Sequence, residues 1–193
     1  GLIPAAGYAA SVTGMNNSQL LQLRRQCRSA VCKHTAGRSL FMDLALLGKK
    51  VDPAYMVNRE PIVMWCKGFW DQRLPRYWLA RAWNRAYWDL RYAKNPWALV
   101  TGPASAVIAT MFRIGWRAKG HDTSPSPFEW ETPFGTINIL NTCPVTVGDY
   151  VDRSTERWLW RLEATKRPKY DHLLEGGLLS PILALLRAKP TPD

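Results

Sequence analysis

The chain has 193 residues, 47% of them hydrophobic and 21% charged, which is enough for one ordinary domain or two small ones with a real core and excludes a wholly disordered chain. Its formal charge of +11 is unevenly placed: residues 1–100 hold 15 Lys/Arg against 5 Asp/Glu, and residues 101–193 hold 11 against 10. A basic front half joined to a neutral back half points to a polyanionic partner, nucleic acid before anionic membrane, with a merely basic protein as the bland reading.

The first residues, GLIPAAGYAA, lack an initiator Met and a basic leader, and read as the start of a fragment or processed piece of something longer. Residues 1–14 are expected to be extended, stopped by Gly14. Asn16, Asn17 and Ser18 then offer N-caps to a helix over about 18–33, with Leu20, Leu23, Cys27, Ala30 and Val31 on one face. Arg24, Arg25 and Arg28 fall on a flank of that helix, either as a solvated face or, with Lys33 and Arg38, as a rail for phosphates. RSLFMDLALLG predicts a short helix ended by Gly48. Helical turns follow from Pro53, and Pro61 is expected to restart a helix carrying Ile62, Trp65, Cys66 and Phe69.

Pro75 opens PRYWLARAWNRAYWDLRYAK, which holds four arginines, a lysine and six Tyr/Trp rings, and Asn95-Pro96 closes it. At 100° per residue, Leu79, Ala82, Trp83, Ala86, Leu90 and Ala93 gather on one face, the expected buried side. Tyr77, Arg81, Arg85, Trp88 and Tyr92 line a nearly opposite stripe, with Trp78 beside Arg85. Such a stripe suits nucleic acid, because guanidinium groups fork onto phosphate oxygens and flat rings stack on unpaired bases. It equally suits internal cation–π pairs or packing against another subunit.

Gly102-Pro103 starts the next helix, and the uncharged run from Asn95 to Phe112 is too broken by Thr101, Gly102 and Pro103 to read as a membrane span. After Trp116, KGHDTSPSP reads as a polar linker. FEWETPFGTINIL reads as a hairpin about Pro133-Phe134-Gly135 that must lie against a helix. A long helix over 144–166 follows, with Val147, Val151, Trp158 and Leu162 roughly on one face and Asp149 and Asp152 placed to complement its dipole. Glu156 and Glu163 offset the Arg/Trp mixture of TERWLWRLEATKRPK. SPILALLRAK closes the chain as a short helix. The expected fold class is mainly α, a multi-helix domain with a small β-hairpin after residue 120. Residues 1–120 form a basic helical part, and residues 121–193 form linker, hairpin and C-terminal helices, packed with the first part or separate from it.

Motifs for chemistry are missing. Cys27 and Cys32 lack zinc-knuckle spacing, and with Cys66 and Cys143 they show no disulfide framework, so a reducing, intracellular compartment is expected, nuclear or cytoplasmic, with an organelle as the alternative. His34, His121 and His172 stand without partner sets, and no phosphate loop or dinucleotide turn is present. No catalytic residue, metal ligand or cofactor is expected.

IPAAGYAASVTGMNNSQLLQLRR, GPASAVIATMFRIGW, FEWETPFGTINIL and ERWLWR, in this order, resemble the region downstream of the polymerase core in reverse-transcriptase polyproteins of non-LTR-type retroelements, especially those of dinoflagellate genomes. The resemblance spans most of residues 3–165 and rests on loose, compositional motifs. It implies a thumb-like or connection region that supports template and primer, as a non-catalytic accessory segment contacting RNA or DNA. It also implies other domains of the polyprotein as partners. The chain departs from a polymerase decisively, since FMDL, YWDL and DYVD are no substitute for a Tyr-x-Asp-Asp turn, so no catalytic residue carries over. The expected nucleic-acid contacts are Arg81, Arg85, Trp88, Tyr77, Tyr92, Arg24, Arg25 and Arg28. The alternative is a basic, Trp-rich structural subunit of a large organellar assembly.

Overall fold

The computed structural model describes residues 10–32, 37–71, 75–120 and 125–166. The architecture is mainly helical with one small antiparallel sheet, as the periodicities indicate. In chain order the helices are α1 (Asn17–Val31), α2 (Leu40–Leu47), α3 (Pro53–Trp70), α4 (Arg76–Arg91) and α5 (Pro103–Arg113). A 3-10 turn, Pro96–Leu99, lies between α4 and α5. The strands β1 (Arg117–Ala118), β2 (Glu129–Thr132) and β3 (Gly135–Asn138) precede α6 (Pro144–Lys166).

The ends of these helices follow from local chemistry. The Asn16 side chain accepts from the Gln19 N–H while the Gln19 side chain accepts from the Asn16 N–H, a reciprocal capping box. Ser39 caps α2, and Gly48 stops it at φ 90°, a backbone state that costs glycine nothing. Three expectations fail here. Residues 10–13 are helical, not extended, and Gly14 closes that turn by donating to the Ala10 carbonyl at 2.9 Å. Pro61 does not restart a helix but lies inside the continuous α3. Proline there removes the donor to the Val57 carbonyl, and burial of Val57, Pro61, Ile62 and Trp65 holds the helix together across the gap. Asp149 and Asp152 do not serve the α6 dipole, because that helix starts at Pro144 with no acid in its first turn. They face Arg59 of α3 instead, at 3.6 and 2.7 Å. Burial raises the Asp152 carboxyl above its usual range, and Arg59 pulls it partly back.

α3 and α6 form the spine. Asn58 donates to Thr155 and Arg59 to Asp152, so the two helices run antiparallel. One apolar cluster joins the first half of α3 (Ala54, Val57) to α1, α2 and the far end of α6 through Leu23, Phe41, Leu159 and Trp160. The other joins the second half of α3 (Trp65, Phe69) to α4, α5 and the sheet. Gly148 lies under the Arg59 guanidinium, which a Cβ there would push aside.

The sheet is a meander, β1-β2-β3, with Trp130 opposite Ile137 and Thr132 opposite Gly135. Pro133 and Phe134 therefore form its turn, and Arg153 of α6 lies over the Phe134 ring at 4.2 Å. β1 lies immediately before KGHDTSPSP, the stretch expected to be linker. Trp130 carries the hairpin into the core, stacked on Trp83 at 5.7 Å with the ring planes 11° apart. The face of α6 is buried at Val147, Val151 and Leu159, while Trp158 is half-buried and Leu162 exposed. The expected C-terminal helix and the three histidines lie outside the described residues. Among the described residues, no helix is long and apolar enough to cross a membrane.

Candidate nucleic-acid interface

α4 is set in rotation by Trp83, Tyr87 and Leu90, the three residues it buries. Trp83 touches Trp65 at 5.7 Å, Tyr87 at 6.4 Å and Trp130 at 5.7 Å. The buried face is the expected one turned slightly toward Tyr87: Trp83 and Leu90 are buried and Leu79 and Ala86 pack against the core, while Tyr87 is also inside and Ala82 is exposed. This rotation leaves the opposite side open. Arg76, Arg81, Arg85 and Arg91 are exposed, and Tyr77, Trp78 and Tyr92 keep 68%, 61% and 76% of their surface.

The open side divides into two flanks. Toward the C-terminal end, Trp88 and Tyr92 stack on each other, 6.0 Å apart and 13° from parallel. The Arg91 guanidinium sits over both rings, at 5.6 and 5.9 Å. Trp88 also meets Tyr87 edge-on and is half-buried, so Tyr92 is the more accessible ring of the pair. Toward the N-terminal end, Trp78, Arg81 and Arg85 follow one another at three- and four-residue steps along one face. Among the described residues no carboxylate lies within ion-pair distance of Arg81 or Arg85.

Trp78, Arg81 and Arg85 also border a cleft of about 1230 Å³. Its floor is Trp65 and Leu90, α3 adds Met64 and Gly68, and the far wall is the start of α5 at Gly102–Ser105. The Ser105 hydroxyl in that wall is already satisfied internally. The Ser105 hydroxyl accepts from the Thr101 and Gly102 N–H groups at 3.0 and 3.1 Å and donates to the Gly102 carbonyl at 2.8 Å. Asp89, one turn beyond Arg85, gives the cleft a negative end.

The second expected basic set is corrected by the packing. Arg24 is buried, and its guanidinium forks onto Asp52 at 2.9 and 2.8 Å. Arg28 turns to Asp43 at 3.2 Å, and Arg38 reaches the other oxygen of the same carboxylate at 3.0 Å. A phosphate rail on α1 is thereby withdrawn for Arg24 and Arg28, and Arg25 alone of the three is exposed. The reason is long range: the loop before α3 brings Asp52 back onto α1, which helical periodicity does not reveal.

Arg113, at the end of α5, was not singled out by sequence reasoning. It donates to the side chains of Asn17 and Asn58, at 2.8 and 2.9 Å, and to the Met15 carbonyl. Its guanidinium lies over Trp97 at 4.1 Å and near Trp158 at 5.7 Å. Burial pushes this group down to about 9. Gly14 makes room for Trp97: its φ is 64°, and a Cβ would stand 2.7 Å from the indole. Arg113 is a joint between elements, not part of the open face.

Cys27 and Cys66 are buried thiols, and burial raises both above the ordinary thiol range. Cys143 is exposed. Among the described residues, no three His, Cys, Asp or Glu side chains gather as metal ligands would. Comparison with known proteins found no matching family, no similar curated protein and no similar solved structure.

Proposed function

We propose that this chain is a non-catalytic, nucleic-acid-contacting segment, accessory to a reverse transcriptase of the non-LTR retroelement type. The observation that carries nucleic-acid contact is the open side of α4, where unpaired Arg81 and Arg85 stand among the exposed rings of Tyr77, Trp78 and Tyr92. Forked guanidiniums supply phosphate contacts of any sequence, and exposed rings supply base stacking. The retroelement setting rests on the resemblance of the four sequence stretches alone. Arg81, Arg85, Tyr77 and Tyr92 are the leading contacts, with Trp88 contributing through its stack on Tyr92.

Salt titration tests the reading. Log affinity for mixed-sequence nucleic acid should fall linearly with log salt, and each of Arg81→Gln and Arg85→Gln should reduce the slope by about 1. Weak, salt-independent binding at low ionic strength that neither substitution alters refutes it. A second reading, a structural subunit of a larger assembly, is favoured by the apolar rim of the same region, where Met64 and Leu99 are also exposed. Under that reading the two Arg→Gln changes leave assembly unchanged.

A further inference from the structure

We infer that the cleft between α3, α4 and the start of α5 is a seat for a short run of unpaired nucleotides, so that the chain prefers single strands or single-stranded tails to blunt duplex. This deepens the proposed function and rests on it. The first argument is size. Small-molecule pockets run roughly 300–1,000 Å³, and at about 1230 Å³ this cleft is larger. That volume suits a segment of polymer passing through.

The second argument is the order of chemistry along one wall. Trp78 lines the cleft with 61% of its surface free, and Arg81 and Arg85 follow on the same helix face. A base laid on the Trp78 ring puts its own backbone phosphates beside the two guanidiniums, as single-strand grooves combine stacking platforms with cationic walls. Asp89, also in the lining, disfavours phosphate beside it, so the backbone is held toward the Arg81 and Arg85 side. Gly102 and Ala104 on the opposite wall are small, and the Ser105 hydroxyl already has its partners, so that wall leaves room for a base plane, with the exposed Thr101 also in the lining. A duplex can touch Arg81 and Arg85 with its phosphates, but its bases, apart from the outer faces of the end pairs, already stack on one another and present no face to Trp78.

Fluorescence anisotropy on the full chain tests this, with labelled single strands, blunt duplexes and duplexes bearing an unpaired tail, all at one salt concentration. Single strands and tailed duplexes should bind about tenfold or more tighter than blunt duplex. Trp78→Ala should lower single-strand affinity about tenfold while blunt duplex stays within about twofold, and Trp78→Phe should restore most of the loss. The ring is exposed, so circular dichroism of both variants should match the parent. Equal affinity for single strand and duplex, both indifferent to Trp78→Ala but weakened by Arg81→Gln, overturns the cleft and leaves the proposed function standing. No binding to any of the three probes overturns both. Self-association in sedimentation that Trp78→Ala abolishes makes the cleft a protein contact and also overturns the inference.

Discussion

Asp52 accepts both prongs of Arg24 and, with the same oxygen that takes the Arg24 Nε, accepts from the Ala54 N–H at 3.0 Å as the cap of α3. Its side chain keeps 2% of its surface and that of Arg24 keeps 7%. Removing one member of such a pair strands the other as a buried charge, which costs about 3–5 kcal/mol. Arg24→Met should destabilise within that range. Asp52→Ala should cost about 1 kcal/mol more, because it also removes a helix cap. Urea unfolding measures both, and the paired replacement Arg24→Met with Asp52→Ala should recover much of the loss. Arg81 has the same side chain and no partner, so Arg81→Gln should stay within about 0.5 kcal/mol of the parent. This contrast separates arginines that build the fold from arginines left open at the surface.

At the scale of one element, α4 holds two environments within 16 residues. Trp83 is fully buried among Trp65, Tyr87 and Trp130, whereas Tyr77 keeps 68% of its surface and Tyr92, the C-cap, 76%. Trp83→Ala should cost about 3–5 kcal/mol through the cavity it leaves. Tyr92→Ala should cost well under 1 kcal/mol, since it gives up one stacked pair at the surface. Guanidinium denaturation followed by circular dichroism distinguishes the two, and equal losses would mean that α4 is rotated from the position described. Periodicity alone was enough to place Trp83 inside and Arg81 and Arg85 outside, because 3.6-residue spacing records which side of a helix meets the core. Local punctuation likewise placed the Asn16 cap region, the Gly48 stop, the Pro103 start and the Pro133-Phe134 turn. Other features depend on residues distant in sequence. The Arg24–Asp52 pair spans 28 positions, and the cleft is assembled from α3, α4 and the start of α5. Trp78 could have been ranked with Arg81 and Arg85 from its spacing, but its value depends on the cavity beside it. The passage of α3 through Pro61 was hidden for the same reason: tertiary burial overrides a local rule.

Across the whole molecule, α3 and α6 each run through both apolar clusters, so neither cluster can open without losing half of a shared helix. Arg113 braces that junction, tying Met15 and Asn17 to Asn58 on α3 and lying between Trp97 and Trp158. Its guanidinium uses three donors on three separate acceptors, and none of those acceptors is a carboxylate. The favourable terms are therefore hydrogen bonds to uncharged acceptors and ring faces, set against burial of a cation. Lysine cannot replace it, because one ammonium on a flexible stem neither forks to three acceptors nor lies flat on an indole. Arg113→Lys should destabilise by about 2 kcal/mol or more, as acceptors are left unmet. The parent chain should unfold in one step, with helix content from far-UV dichroism and the Trp83–Trp130 stack from near-UV dichroism falling together. In Arg113→Lys the two signals should separate, because the brace is lost while each cluster keeps its own rings. Coincident curves in the variant, merely shifted to lower denaturant, would show that α3 and α6 alone couple the two halves and that Arg113 contributes stability without contributing cooperativity.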